Sequence, residues 1–158
     1  MKRAFPILFL ALVCCSKSYI PNTDVQDSED NRSVITFCEQ YRRAVEDKNV
    51  SLLLKMASDR YYEDGGDTVA ENDVDYSGLK DYLSTSFQKT AAIRYEVRYR
   101  RVSLSARSDV YVDYTYSASY RIPTLSAKGS TDEWRHAVAD NRLVLARVGD
   151  SYKILSGM

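Results

Sequence analysis

Ile93-Arg94-Tyr95-Glu96-Val97-Arg98-Tyr99-Arg100 (IRYEVRYR) alternates apolar and charged side chains without a break. A period of two sends successive side chains to opposite faces, so this stretch reads as a β-strand with one apolar and one charged side. After a turn-like Ser105-Ala106-Arg107-Ser108-Asp109, the pattern returns in Val110, Val112, Tyr114, Tyr116, Ala118 and Tyr120, one face of a second long strand. Pro123 to Thr131 reads as a connection. Trp134 to Val138, Arg142 to Val148 and Ser151 to Leu155 read as three more strands, the last pair turning at Gly149-Asp150. The second half of the chain is thus an antiparallel meander.

Upstream the period changes. Val34, Phe37, Cys38, Tyr41, Ala44 and Val45 fall three or four apart, the spacing of one helix face. Asp30, Asn31 and Ser33 are suitable caps, and Asn49 after Lys48 reads as the stop. Ser51 is placed to cap a short second helix through Ala57. Arg60 to Glu63 reads as a short strand ended by Gly65-Gly66, and a third helix runs from about Gly78 with Leu79, Tyr82, Leu83 and Phe87 on one face. Helices followed by a meander predict an α+β domain whose helices cover one face of a bent sheet.

Length and composition agree. The chain has 158 residues, 44% hydrophobic and 28% charged, enough for one ordinary domain and unlike a disordered or collagenous sequence. Its 22 basic and 22 acidic residues cancel, which removes the basic footprint expected of a nucleic-acid partner. Thirteen tyrosines against one tryptophan and four phenylalanines favour strands. Three cysteines are too few and too badly placed for a disulfide framework.

Residues 1–31 read differently. Lys2 and Arg3 precede the apolar run Phe5 to Val13 (FPILFLALV), too short to span a bilayer and ordered like an export signal. Leu12-Val13-Cys14-Cys15 resembles the lipobox of bacterial lipoproteins, which implies a signal peptide over 1–14 and an acylated Cys15. Acylation of Cys14 instead would put Val13 in the small-residue position, a worse fit. Ser16 after the cysteine resembles the outer-membrane sorting class of two-membrane bacteria. The expected location is therefore the cell envelope, on the periplasmic side of the outer membrane. Residues 15–31, polar and acidic, are expected to be a flexible tether, and 32–158 the domain. Removing Lys2 and Arg3 brings the net charge to about −2 and leaves Cys38 as a lone thiol, tolerable in an oxidising compartment if buried.

The segments Phe37 to Gly66 (FCEQYRRAVEDKNVSLLLKMASDRYYEDGG) and Asn141 to Met158 (NRLVLARVGDSYKILSGM) resemble the opening and the closing hairpin of the nuclear transport factor 2-like superfamily. The resemblance implies a cone: a curved antiparallel sheet around a pocket, with about three helices on one side. It implies a pocket lined by Tyr41, Tyr61, Tyr95, Tyr99, Tyr114 and Tyr116, suited to a small apolar ligand or filled by the protein itself, and homodimerisation through the outer sheet face. The superfamily contains ketosteroid isomerases and dehydratases. Tyr41 matches by position the isomerase oxyanion tyrosine and Asp64 the proton-shuttling aspartate, a pair whose chemistry is enolisation. The third acid falls near Leu143 or Val144, both apolar, so the set is incomplete.

His136, the single histidine, shares a strand face with Trp134 and Val138, and a dehydratase-type site would want it inside the pocket. No second histidine or cysteine lies at ligand spacing, so no metal site is expected. Asp73-Val74-Asp75-Tyr76-Ser77-Gly78 opens like a calcium loop, but Ser84 stands where the bidentate glutamate belongs. A helix cap at Asp75 or Ser77 is the better reading. Arg94, Arg98 and Arg100 read as a solvated outer face rather than a nucleic-acid surface. The expectation is a tethered, non-catalytic binding or interaction module needing no cofactor, the alternative being an isomerase- or dehydratase-like enzyme with Asp64 as base and Tyr41 as hydrogen-bond donor.

Overall fold

A computed structural model describes residues 17–66, 69–126 and 129–158. Three helices, α1 (Glu29–Glu46), α2 (Val50–Met56) and α3 (Tyr76–Gln88), accompany six strands. Strands β1 (Tyr62–Glu63) and β2 (Val74–Asp75) form a small ribbon; β3 (Ala92–Leu104), β4 (Val110–Ser126), β5 (Gly129–Val148) and β6 (Ser151–Ser156) form one antiparallel sheet in sequence order. Among the described residues no helix is long and apolar enough to cross a membrane.

Local chemistry sets the helix ends. Ser28 caps α1, accepting the Asn31 N–H at 3.2 Å. This start lies upstream of the caps expected at Asp30, Asn31 and Ser33. Asn49 is not a stop: its carboxamide accepts from the Leu52 N–H at 3.0 Å and caps α2. Asp75 caps α3, accepting from the Gly78 N–H at 2.9 Å and the Ser77 hydroxyl at 2.7 Å. The calcium-loop look-alike is thus a helix cap, and α3 starts two residues before Gly78. Each such cap contributes about 1 kcal/mol to its helix.

Sheet register explains the curvature. Tyr99 pairs with Tyr114 and Arg101 with Asp113, so Arg100 is an extra residue that bends β3. The bulge also keeps the apolar phase: Ile93, Tyr95, Val97 and Tyr99 face inward before it, Val102 after it. The two segments Trp134–Val138 and Arg142–Val148, expected as separate strands, are one continuous strand, β5, paired with β4 from Gly129 to Leu145.

The core lies between the helices and the inner sheet face. Leu53, Leu79, Val112, Leu143, Leu145 and Ile154 are completely buried there, with Phe37 and Cys38 from α1. Cys38 is a free, buried thiol, and burial raises its pKa well above the ordinary range.

Other parts of the chain satisfy main-chain groups on the outer edges of β3 and β6, which hinders strand addition there. On β3, the Tyr95 N–H donates to Glu46 at 3.0 Å, and its carbonyl accepts from Arg42 at 3.1 Å. Further along, the Tyr99 carbonyl accepts the Asp24 N–H at 2.9 Å. On β6, the Ile154 carbonyl accepts from the Ser58 N–H at 2.8 Å.

That last β3 contact corrects the expected tether. Residues 18–27 fold back through a Tyr19–Gln26 bridge and dock against β3, with Val25 only 2% exposed. Asp24 binds Arg98 at 2.6 Å and Arg100 at 2.9 Å, and these bonds, Arg98 first, hold its carboxyl down at about 2. The folded part therefore starts well before residue 32. Cys15 and the proposed signal segment lie outside the described residues.

Candidate functional site

At the end of the sheet where β3 begins, the C-terminal halves of α1 and α3 stand over the inner face and leave a cleft of about 360 Å³. Its apolar walls are Val45 from α1, Phe87 from α3, Ile93 from β3, Ala118 from β4 and Met158. Polar tips come from Tyr41, Tyr95, Tyr116, Tyr120, Ser86, Thr90 and Asn141, and among the described residues no charged side chain lines the space. Apolar walls with a few fixed polar groups are the usual composition of small-molecule clefts, whose volumes run from about 300 to 1,000 Å³.

Each wall is positioned by the features above. Ser28 fixes the start of α1, and the Arg42–Glu46 pair at 2.7 Å clamps that helix to the Tyr95 backbone. Tyr95 and Tyr116 stack with centroids 5.5 Å apart, and Tyr116 continues to Tyr114 at 6.4 Å and Tyr114 to Tyr99 at 6.5 Å. Such aromatic pairs add about 0.5–1.5 kcal/mol each beyond simple burial, so the cleft floor is stiff. Asn141 ties it to the chain end: its Nδ2 donates to the Tyr114 hydroxyl at 3.1 Å and to the Gly157 carbonyl at 3.3 Å. The Gly157 N–H in turn donates to the Glu63 carboxylate at 2.5 Å.

Burial pushes the phenols of Tyr41, Tyr95 and Tyr114 upward, and their mutual proximity raises Tyr41 and Tyr114 further. They stay neutral at physiological pH. They act as hydrogen-bonding groups, not as bases.

Of the six tyrosines expected to line the pocket, Tyr41, Tyr95 and Tyr116 do so. Tyr61, Tyr99 and Tyr114 are buried behind it as core, Tyr99 donating its hydroxyl proton to Glu39 at 2.9 Å. Tyr120 and Asn141 were not expected. Tyr120 continues the alternation of β4, whereas Asn141 is reached only once β5 is seen as one strand.

The acid–base pair is not assembled. Asp64 is exposed, does not line the cleft, and its carboxylate accepts from the Gly66 N–H at 3.0 Å beside two glycines with positive φ. Leu143, matched to the third acid, is buried apolar core. His136 is not in the interior either: paired with Ser119, it lies on the sheet face away from the helices, where its Nδ1 contacts the Ser119 hydroxyl at 3.1 Å. Trp134 shares that face under Arg94, whose guanidinium stands 5.3 Å from the ring centroid. Among the described residues no group of His, Cys, Asp and Glu is arranged to hold a metal ion.

No protein-family model matches the sequence, and no curated protein matches it. Solved structures do match. A candidate dehydratase of the nuclear transport factor 2-like family from Streptomyces avermitilis superposes with TM-score 0.62 at 13% identity, over 81% of this chain and 93% of that one. A candidate calcium/calmodulin-dependent protein kinase II association domain from Xanthomonas campestris gives 0.62 at 15% identity, over 89% and 90%. A candidate scytalone dehydratase from Novosphingobium aromaticivorans gives 0.60 at 8% identity, over 81% and 80%. At these identities the likeness speaks for architecture alone. With its three helices over a bent four-stranded sheet, the chain is a domain of the nuclear transport factor 2-like fold.

Proposed function

We propose that this protein is an envelope-tethered binding module that holds a flat, uncharged and mostly apolar small molecule in the cleft beside Tyr41. The observation that carries the reading is the lining itself: aliphatic and aromatic walls, phenol and amide tips, and no charged side chain among the described residues. A charged ligand would lose its hydration there with nothing to offset the loss. A neutral fused-ring compound with one hydroxyl or carbonyl would stack on Tyr95 and Tyr116 and hydrogen-bond at its edge.

Two structural neighbours carry dehydratase names, which describe those proteins. Here the binding reading is favoured over proton transfer because the proposed base, Asp64, points to solvent and caps a turn. The tether is the lipid on Cys15, which would hold the module at the outer membrane facing the periplasm.

Native mass spectrometry of the full chain purified from its own envelope tests the reading. The expected result is a co-purified neutral molecule retained by the wild type and lost in Ile93→Trp, which fills the cleft. Retention of the same molecule by both proteins would overturn it.

A further inference from the structure

A second hollow, of about 620 Å³, lies at the opposite end of the sheet from the Tyr41 cleft. Its apolar walls are Val34, Val102, Leu104, Val110 and Tyr152, and Leu104 is 73% exposed at its mouth. Leu104 pairs with Val110, and Val110 with Leu145. The β3–β4 turn and the β5–β6 turn, a few residues past Leu145, therefore share one end of the sheet. Val148 stands on the second turn and is 56% exposed.

The start of α1 and the incoming chain are at this same end. Asp30 binds Arg147, which lines the hollow, at 2.9 Å. The Ser18 carbonyl accepts the Asp27 N–H at 2.8 Å, next to Ser28 on the rim. Only Ser16 and Lys17 lie between Cys15 and Ser18, three peptide steps or at most about 11 Å of extended chain. The docking of residues 18–27 thus leaves almost no slack between an acylated Cys15 and this end of the domain.

We infer that the end bearing Leu104, Val148 and the hollow rests against the bilayer that holds the Cys15 lipid, with the two apolar tips seated among the acyl chains and the Tyr41 cleft opening away from the membrane. The inference rests on the lipid-tether reading above. Exposed apolar side chains beside a short anchor gain by leaving water at a membrane interface. Arg147 is paired with Asp30, and the turns carry one more cation, Arg107, against Asp109 and Asp150, so this end has no basic excess, and uncharged phosphatidylcholine suffices as partner.

The test uses the full, lipidated chain in phosphatidylcholine vesicles, with a polarity-sensitive fluorophore on Leu104→Cys, Val148→Cys or, as an exposed control on α3, Asp81→Cys. Cys38 is buried and does not take the label. The mass of the N-terminal peptide is measured on the same samples. The expected result is a blue shift and a several-fold loss of quenching by a water-soluble quencher at positions 104 and 148, with none at 81. Equal quenching at all three positions in a chain that carries its lipid would overturn the inference and leave the tether standing. Shielding at 104 alone, the same in detergent as in vesicles, would assign the hollow to the protein's own acyl group and overturn it as well. An N-terminal peptide without lipid would remove the tether and the inference together.

Discussion

Gly157 is the position where one methyl group should do most damage. Its φ is +94°, and an added Cβ would stand 2.0 Å from the Arg142 carbonyl oxygen and 2.9 Å from its carbon. Both are main-chain atoms of β5, so no side-chain rotation relieves the clash, and the end of β6 must separate from β5. Left-handed backbone strain costs about 1–2 kcal/mol for a residue with Cβ. Separation also breaks the bond from the Gly157 N–H to the Glu63 carboxylate, and bonds to charged groups contribute about 1.5–3 kcal/mol. Together the two effects give a loss of about 2.5–5 kcal/mol. At about 2–4 °C per kcal/mol for a domain of this size, Gly157→Ala should unfold roughly 5–20 °C below wild type. The same change releases the carbonyl held by Asn141 and moves Met158, so cleft binding should weaken in parallel. Thermal unfolding followed by circular dichroism measures the first effect. A midpoint equal to that of wild type would refute the reasoning, because it would mean that the chain end is not locked between Glu63 and β5.

Asp24 gives a pH signature. Its carboxyl is depressed in the folded state, so its contribution is present above the unfolded value near 4 and is lost as pH falls through about 2. Asp24→Asn should therefore lower the unfolding midpoint at pH 7, and the difference from wild type should close between about pH 4 and 2; a difference independent of pH would contradict the pairing with Arg98 and Arg100. Cys38 should resist thiol reagents in the native protein at pH 8 and react only in denaturant, since burial both hides it and raises its pKa. Asp64→Asn should change stability by less than about 0.5 kcal/mol and leave ligand binding unchanged, because the carboxylate only caps an exposed turn; a large loss of binding would contradict its place outside the cleft.

Where the sequence carried a strong period, structure followed it. The faces of α1, β3 and β4 were legible because each buries one side and wets the other, and the burial of Cys38 followed from its place on the α1 face. The bulge at Arg100 was not read from the sequence; only the register shows that the apolar phase slips from Tyr99 to Val102. Beyond such patterns legibility falls. Residues 133–141 of β5 are almost all exposed, with no buried stripe to announce a strand, so the element looked broken and Asn141 went unseen. Residues 18–27 looked like a tether because their docking depends on one valine, one main-chain bond and the Asp24 ion pairs, all to a strand distant in sequence. Asp64 was placed by likeness of position; its actual partner, the Gly66 N–H, is a local turn contact.

The space between α1, α3 and the inner sheet face is proposed to receive a neutral, flat ligand. Titration of the full chain with naphthol, followed by side-chain NMR shifts, tests it most directly. Saturable shifts should concentrate on Val45, Phe87, Ile93 and Met158 and disappear in Ile93→Trp. Shifts that spare these four residues, or that persist unchanged in the variant, would contradict the account.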